Sequence, residues 1–277
     1  MRIYNLKNFF LLLFFLVPLS LITGPAIPDI TITIAGIFGI FFIMFIEKKT
    51  DLIKYNLVRI SIFFWLSLIV VSFFSNYIEK SFQDSIIFLR YLLIPIVADF
   101  FYFYNNKIFY YLSLLIFLLV TFVLFDTLYQ FFNYTPNNGF GKDLLGFKSN
   151  WYGRLTGPFG DELIPGSYVS KFGLIGFVYL LLNKKLKSNK SLQCLYLGLI
   201  LVVTYVSGER MAFATYLMAL CVLLFFLKEF RRLMILSIIL GLICIYFIHK
   251  NHPFYNDYKI IEKTQYHQGL KIEKQFS

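Results

Sequence analysis

Residues 107–132 read KIFYYLSLLIFLLVTFVLFDTLYQFF, a run of 26 residues whose only charges are Lys107 at its start and Asp126 near its end. At 1.5 Å per residue a helix of this length spans about 39 Å, more than the roughly 30 Å of a bilayer's hydrocarbon core. Its apolar residues do not alternate, which excludes a barrel strand. Eight similar runs flank it, at 9–24, 28–46, 57–74 and 85–104 before it and at 164–182, 191–206, 211–227 and 233–249 after it. At about 20 residues per span, nine spans would use roughly 180 of the residues and leave no room for a separate soluble catalytic domain. The 277-residue composition agrees, with 58% hydrophobic residues, 35 Phe and only 15% charged residues. A soluble domain carries about 25% charged residues, so a soluble globular protein, a disordered chain and a nucleic-acid binder are all excluded. The expected fold is an all-α integral membrane bundle of nine transmembrane helices.

The net charge of +11 reads first as topology. With the N-terminus inside, the cytoplasmic connections carry Arg2, Lys7, Lys48, Lys49, Lys54, Arg59, Lys107, Lys184, Lys185, Lys187, Lys190, Lys228, Arg231 and Arg232. The short connections on the other side carry only Lys80 and Arg210. This asymmetry places the N-terminus in the cytoplasm and the C-terminus outside. The first run lacks a small-residue cleavage site and leads through Pro25 and Pro28 into the next, so it reads as a span and not as a signal peptide. Cys194, Cys221 and Cys244 lie inside apolar runs without CxxC spacing, and His249 with His252 makes only an isolated HxxH, so no metal is expected. Tyr102, Tyr104, Tyr110 and Tyr111 read as an interfacial aromatic belt.

Two segments exceed a bare bundle. Residues 133–163 form an outer loop of about 31 residues, longer than most structureless connections, and Trp151, Tyr152 and Phe159 point to order within it. The transmembrane domain is thus expected over 1–249, and the polar segment 250–277 reads as the start of a second outer loop, ending without a terminating element.

An ionisable residue at membrane depth is expensive unless it is paired or meets water, so each is a candidate for function. Arg90, Asp99, Asp126 and Lys171 lie within the runs. Arg90 and Asp126 fall at about the same depth on adjacent helices, roughly 8 Å below the outer face, and read as an ion pair or as a ligand contact. Asp99 reads as reaching the inner interface. Lys171 lies about 10 Å into its helix, within reach of the surface if it snorkels. Arg210, in Ser207-Gly208-Glu209-Arg210, closes an outer turn beside Glu209, and Arg154 stands in the long loop. Asp161 and Glu162 suit the first turn of the following helix, where carboxylates complement the dipole. Four cations from distant parts of the chain therefore converge near the outer surface.

A lipid-linked diphosphate, with about two negative charges beside a long apolar tail, would use such cations, and Arg binds its oxygens bidentately. If a sugar is transferred from that diphosphate, the same cations stabilise the leaving group. A carboxylate or His would then take the acceptor's proton. No nucleotide is needed, because the lipid diphosphate is itself the leaving group, and no cofactor is expected; the absence of GxxxxGK[ST] and GxGxxG is consistent with this.

The loop Arg154-Leu155-Thr156-Gly157-Pro158-Phe159-Gly160-Asp161-Glu162, the entry Pro165-Gly166-Ser167-Tyr168 and the turn Ser207-Gly208-Glu209-Arg210-Met211-Ala212 together resemble the O-antigen ligase and O-antigen polymerase superfamily. The resemblance implies a metal-independent glycosyltransferase of the bacterial inner membrane. It would move a glycan from undecaprenyl diphosphate to a periplasmic acceptor, either lipid A core sugars or another repeat unit. Its membrane-lipid partner would be the donor itself. By that resemblance diphosphate binding would map onto Arg154 and Arg210 and less directly onto Arg90; the convergence of cations adds Lys171, and Asp161 or Glu162 is the candidate base or acceptor contact. Members of the family usually continue through a second large loop, so the chain reads as C-terminally incomplete at Ser277, and His267-Gln268 is not assigned. Ligase and polymerase stay unseparated. The alternatives are a secondary transporter or flippase for an anionic or lipid-linked solute, although no internal repeat is evident, and a non-catalytic scaffold, which would leave the long outer loop without a role.

Overall fold

The computed structural model describes residues 12–24, 26–46, 55–104, 106–136, 138–149, 151 and 153–256, with side chains throughout except at 46, 99–104 and 106. The Asp99 side chain, Tyr102, Tyr104, Tyr152 and the tail beyond 256, His267 included, thus lie outside the described parts.

Each of the nine apolar runs contains a helix among the described residues, because a backbone in hydrocarbon can satisfy its polar groups only within itself. The helices are α1 (residues 12–20), α2 (Ala26–Phe41), α3 (Asn56–Ser72), α4 (Ile78–Tyr104), α5 (Asn106–Phe132), α6 (Pro165–Leu182), the single turn α7 (Lys184–Lys187), α8 (Lys190–Val206), α9 (Arg210–Phe226) and α10 (Arg231–Asn251). Among the described residues, five stretches are long and apolar enough to cross a bilayer: Ala26–Phe45, Ile78–Ala98, Lys107–Phe132, Pro165–Leu182 and Lys228–Asn251. Helices α3, α8 and α9 are apolar but stop at 17 residues. The architecture is that of an all-α membrane protein.

The polar punctuation sets the helix ends. Pro165 opens α6 at a position where the missing N–H is no loss. Asn183 accepts from the N–H groups of Lys185 and Leu186, and Asn189 accepts from that of Leu192, so the two asparagines cap α7 and α8 in turn.

The chain divides into two compact units, Met1–Leu112 and Ser113–Ser277. In the first, α4 packs on α2 and α3. Gly36 and Gly39 let α2 approach α4 closely: a Cβ at Gly39 would lie 2.6 Å from Val97 Cγ2, and one at Gly36 would lie 2.9 Å from Leu93 Cβ. Below this seam Phe42 and Ile43, in the π-helical turn Phe42–Ile46, join Phe14, Val97 and Ile108 in a buried cluster. Hydrogen bonds knit α3 to α4, with Trp65 Nε1 donating to the Ser85 carbonyl at 3.0 Å and Ser72 Oγ meeting Ser85 Oγ at 2.6 Å.

Arg90 belongs to this unit and is engaged there. Its Nη2 lies 2.7 Å from Asp29 Oδ2, and the Tyr91 hydroxyl donates to Asp29 Oδ1 at 2.8 Å. The partner expected from the sequence, Asp126, is therefore replaced by Asp29, an acid in the first turn of α2. Depth reasoning missed Asp29 because it stands at the very start of an apolar run.

In the second unit α8 is the centre, packed against α6, α9 and α10. Its Leu197, Ile200, Leu201 and Val203 are fully buried. Small residues again form the seams. A Cβ at Gly173 of α6 would meet Ile200 Cδ1 at 2.5 Å, one at Gly176 would strike the Tyr196 hydroxyl, and Gly241 of α10 lies against Leu201. The buried Tyr216 of α9 donates to the Leu197 carbonyl at 3.1 Å, so its one polar group is satisfied inside an apolar core.

Gly39→Val is expected to lower the thermal midpoint of the detergent-solubilised protein by several degrees, the response to about 1–3 kcal/mol of overpacking at the α2–α4 seam. An unchanged midpoint would contradict close packing there.

Candidate functional site

Five helix ends converge at one end of the second unit: the C-terminal ends of α5, α8 and α10 and the N-terminal ends of α6 and α9. The first four N–H groups of a helix need outside partners, and in α6 one residue from another segment meets two of them, those of Gly166 and Ser167. Glu209, buried in the α8–α9 turn, accepts from Gly166 N at 2.7 Å with Oε1 and from the Ser167 N–H at 3.1 Å with Oε2, which also receives the Ser167 hydroxyl. A carboxylate at a helix N-terminus also faces the positive end of the dipole. Gly166 permits this approach, since a Cβ there would run into Ser207 Oγ and lie 3.0 Å from Glu209 Oε1.

The same turn grips the long loop. Leu155 N donates to the Ser207 carbonyl at 3.1 Å. Gly208 has φ +78, and a Cβ there would collide with the Gly153 carbonyl oxygen. From the other side Gln130 of α5, fully buried, accepts from Thr156 N at 3.1 Å and Gly157 N at 2.9 Å and donates to Thr156 Oγ1. Arg154 thus lies on a segment bound at both flanks.

The rest of the loop is ordered by two isolated bridges, Thr135 with Gly139 and Lys142 with Lys148, and by aromatic packing. His252, just past α10, stacks on Phe131 at 4.1 Å, while Phe254 packs on Phe140 at 5.0 Å and on Tyr134 at 5.6 Å. Burial holds the His252 imidazole below its ordinary pKa of 6.5, against a hydrogen bond to the Phe131 backbone that pulls the other way. Burial likewise raises the Asp143 carboxyl, partly offset by the N–H groups of Phe147, Gly146 and Leu145. Among the described residues the loop has the expected order, and Phe159 is buried within it. Trp151 is 61% exposed.

These contacts border an open cavity of about 510 Å³ lined by Arg154, Tyr205, Arg210, Phe213, His249, Phe254 and Tyr255 with the intervening glycines. Two guanidinium groups, a histidine and two phenols share it, and no carboxylate lines it among the described residues. Arg154 Nη2 donates to the Leu163 carbonyl at 3.2 Å, leaving its buried Nε unpartnered. The Tyr205 hydroxyl lies 3.0 Å from His249 Nδ1, and the His249 ring packs on Tyr255 at 4.5 Å. Such an arrangement can hold an oxygen-rich anion between two planar donors, and it orients an imidazole beside that anion.

Of the residues singled out in the sequence, Arg154 and Arg210 are brought together. Lys171 is exposed on α6 and does not line the cavity. Asp161 is exposed and Glu162 half-buried. They lie in the turn between the short helix Gly157–Phe159 and α6, ahead of its N-cap Ile164, and neither lines the cavity. Their expected place in the first turn of α6 is corrected, because Glu209 occupies that role. Glu209 is accordingly tied to α6, and the turn pair with Arg210 gives way to that contact. Asp126, buried near the end of α5, accepts from Leu144 N at 2.8 Å with Oδ1 and braces the loop, while its Oδ2 is unpartnered. Tyr205, Tyr255 and the site role of His249 were missed. Neither tyrosine stands out in the sequence, and His249 stands out there only as half of an isolated HxxH pair.

No family model, no curated protein and no solved structure matches this chain.

Gly208→Ala is expected to destabilise the protein by about 3 kcal/mol, combining a left-handed backbone with a collision against Gly153. Gly146→Ala, at φ +92 but with open space around it, should lose only about 1 kcal/mol. Equal shifts in thermal midpoint for the two variants would contradict the close approach of turn and loop. A second expectation concerns pH. The folded state favours neutral His252, so its contribution to stability is full above about pH 6.5 and is lost as pH falls through the lowered folded value. His252→Phe, which keeps the stacking, should flatten the midpoint's dependence on pH over that window, and an unaltered dependence would refute this role.

Proposed function

We propose that this protein is a glycan transferase of the bacterial inner membrane that uses a polyprenyl-diphosphate-linked donor, of the O-antigen ligase or polymerase kind. The observation that carries the reading is the shared cavity of Arg154 and Arg210, two arginines 56 residues apart in the chain that meet at one helix-end surface. Their separation in sequence makes the meeting informative, since nothing local requires it.

The chemistry follows from the residues. The two guanidiniums bind the diphosphate oxygens and take up the charge that develops as the bond from sugar to diphosphate breaks, the contribution by which positioned cations lower such barriers. His249, aligned by Tyr205, stands ready to accept the acceptor hydroxyl's proton as that oxygen attacks the anomeric carbon, which leaves the diphosphate with the bonding electron pair. Apolar helix surface on either side of such a rim suits a polyprenyl tail.

Sidedness supports the same reading. The short connections at the opposite end of the second unit carry Lys184, Lys185, Lys187, Lys190, Lys228, Arg231 and Arg232, and such clusters mark the cytoplasmic side. The cavity then opens on the periplasmic face, where lipid-linked glycans are delivered after crossing the membrane.

In cells that assemble a lipid-linked glycan, Arg210→Ala and Arg154→Ala are each expected to reduce glycan transfer by about 100-fold or more, the usual loss when one charge-stabilising donor is removed. Lys171→Ala, off the cavity, should stay near wild type. The readout is the banding of polymer-bearing glycolipid against membrane abundance of the variant. Normal banding with Arg210→Ala, or uptake of a solute without any glycan product, would overturn the assignment.

A further inference from the structure

At the end of the second unit opposite the arginine cavity, a separate cavity of about 860 Å³ opens between the starts of α8 and α10. Its composition is divided along its length. Lys190 and Arg232 stand at one end, with the Lys190 ammonium 4.8 Å from the centre of the Phe230 ring. Leu195, Leu236 and Leu240 form the wall running away from them, at 48%, 59% and 38% exposure. Between Arg232 and Leu240 the helix rises about 12 Å, so the polar end and the apolar wall succeed one another along the axis of α10.

The geometry points to a binding site for one anionic glycerophospholipid, its phosphate on Lys190 and Arg232 and an acyl chain along the leucine wall. Three features favour this occupant. The cations sit beside the richest basic cluster of the unit, where several Lys and Arg attract an anionic headgroup together. Glu229 is the one carboxylate among the described lining residues, so the net charge of the polar end remains positive. The exposed leucines continue directly from the cations, which a free phosphate would not use and an acyl chain would. The apolar half faces outward from the helix pair, as a site filled from the surrounding leaflet requires. This site is independent of the glycan-transfer reading, and lipid bound here would brace the junction of α8 with α10 from the side opposite the arginine cavity.

The test is native mass spectrometry of the full chain in detergent, titrated with phosphatidylglycerol and, separately, with phosphatidylcholine of the same acyl chains. Phosphatidylglycerol should bind first and at one site per chain. The double variant Lys190→Ala/Arg232→Ala should weaken it about 30-fold, the effect of two cations near an anionic headgroup. Leu236→Trp, which leaves the charges in place, should also weaken it by filling the wall, whereas Lys184→Ala/Lys185→Ala, outside the cavity, should change it by less than about threefold. Equal binding of the two lipids would overturn the site. So would an equal loss in the Lys184/Lys185 variant, which would mean diffuse attraction. Full binding by Leu236→Trp, or displacement by inorganic phosphate at the lipid's own concentration, would mean a phosphate contact without a lipid.

Discussion

The carboxylate of Glu209 on the N-terminus of α6 organises this end of the protein. Helix α6 begins where apolar surroundings leave little water to satisfy its first N–H groups, and a buried donor without a partner costs about 1–3 kcal/mol. The chain meets that demand with a residue from a distant turn. Once Glu209 is committed to Gly166 and Ser167, its neighbours have no freedom: Gly208 must lie against Gly153, Ser207 must receive Leu155, and Arg210 must open α9 beside Arg154. The two arginines meet because a helix end had to be capped.

Gln130 performs the corresponding service from α5, and together the two side chains hold the loop by its backbone. Loop residues that bind or react need such anchoring, because positioning errors near 1 Å are costly in a reactive site. The remaining packing is aromatic, with His252, Phe131, Tyr134, Phe140 and Phe254 sealing the loop against the end of α10. The basic residues thus fall into distinct places: a Lys- and Arg-rich cluster at one end of the second unit, a cavity lined by Arg154 and Arg210 at the other, and an ion pair between Arg90 and Asp29 in the first unit.

The helices were legible in the sequence because apolar runs of spanning length have one outcome in a bilayer. All nine runs contain helices among the described residues, and Pro165 opens α6 as the sequence suggests, whereas the caps Asn183 and Asn189 emerge only in the structure. Partnerships between distant residues were legible only where depth and sidedness constrained them. Arg154 and Arg210 were brought to one surface by that reasoning, but Lys171 shared the depth and points elsewhere. Depth alone also matched Arg90 to Asp126, while the actual partner, Asp29, was hidden at a helix start. Asp161 and Glu162 looked like caps by local sequence, and the cap came from a residue more than forty positions away. Local chemistry predicts that a helix end needs a carboxylate. It does not say which segment will bring one.

The central claim is that Arg154 and Arg210 grip one anion between them. Its most direct test is a double-mutant cycle on the binding of a short polyprenyl diphosphate to the purified protein, using Arg154→Ala, Arg210→Ala and the pair. A shared diphosphate should give a coupling of about 1 kcal/mol or more, with the double variant losing less than the sum of the single losses. Losses that simply add, or binding that ignores both substitutions, would contradict the account.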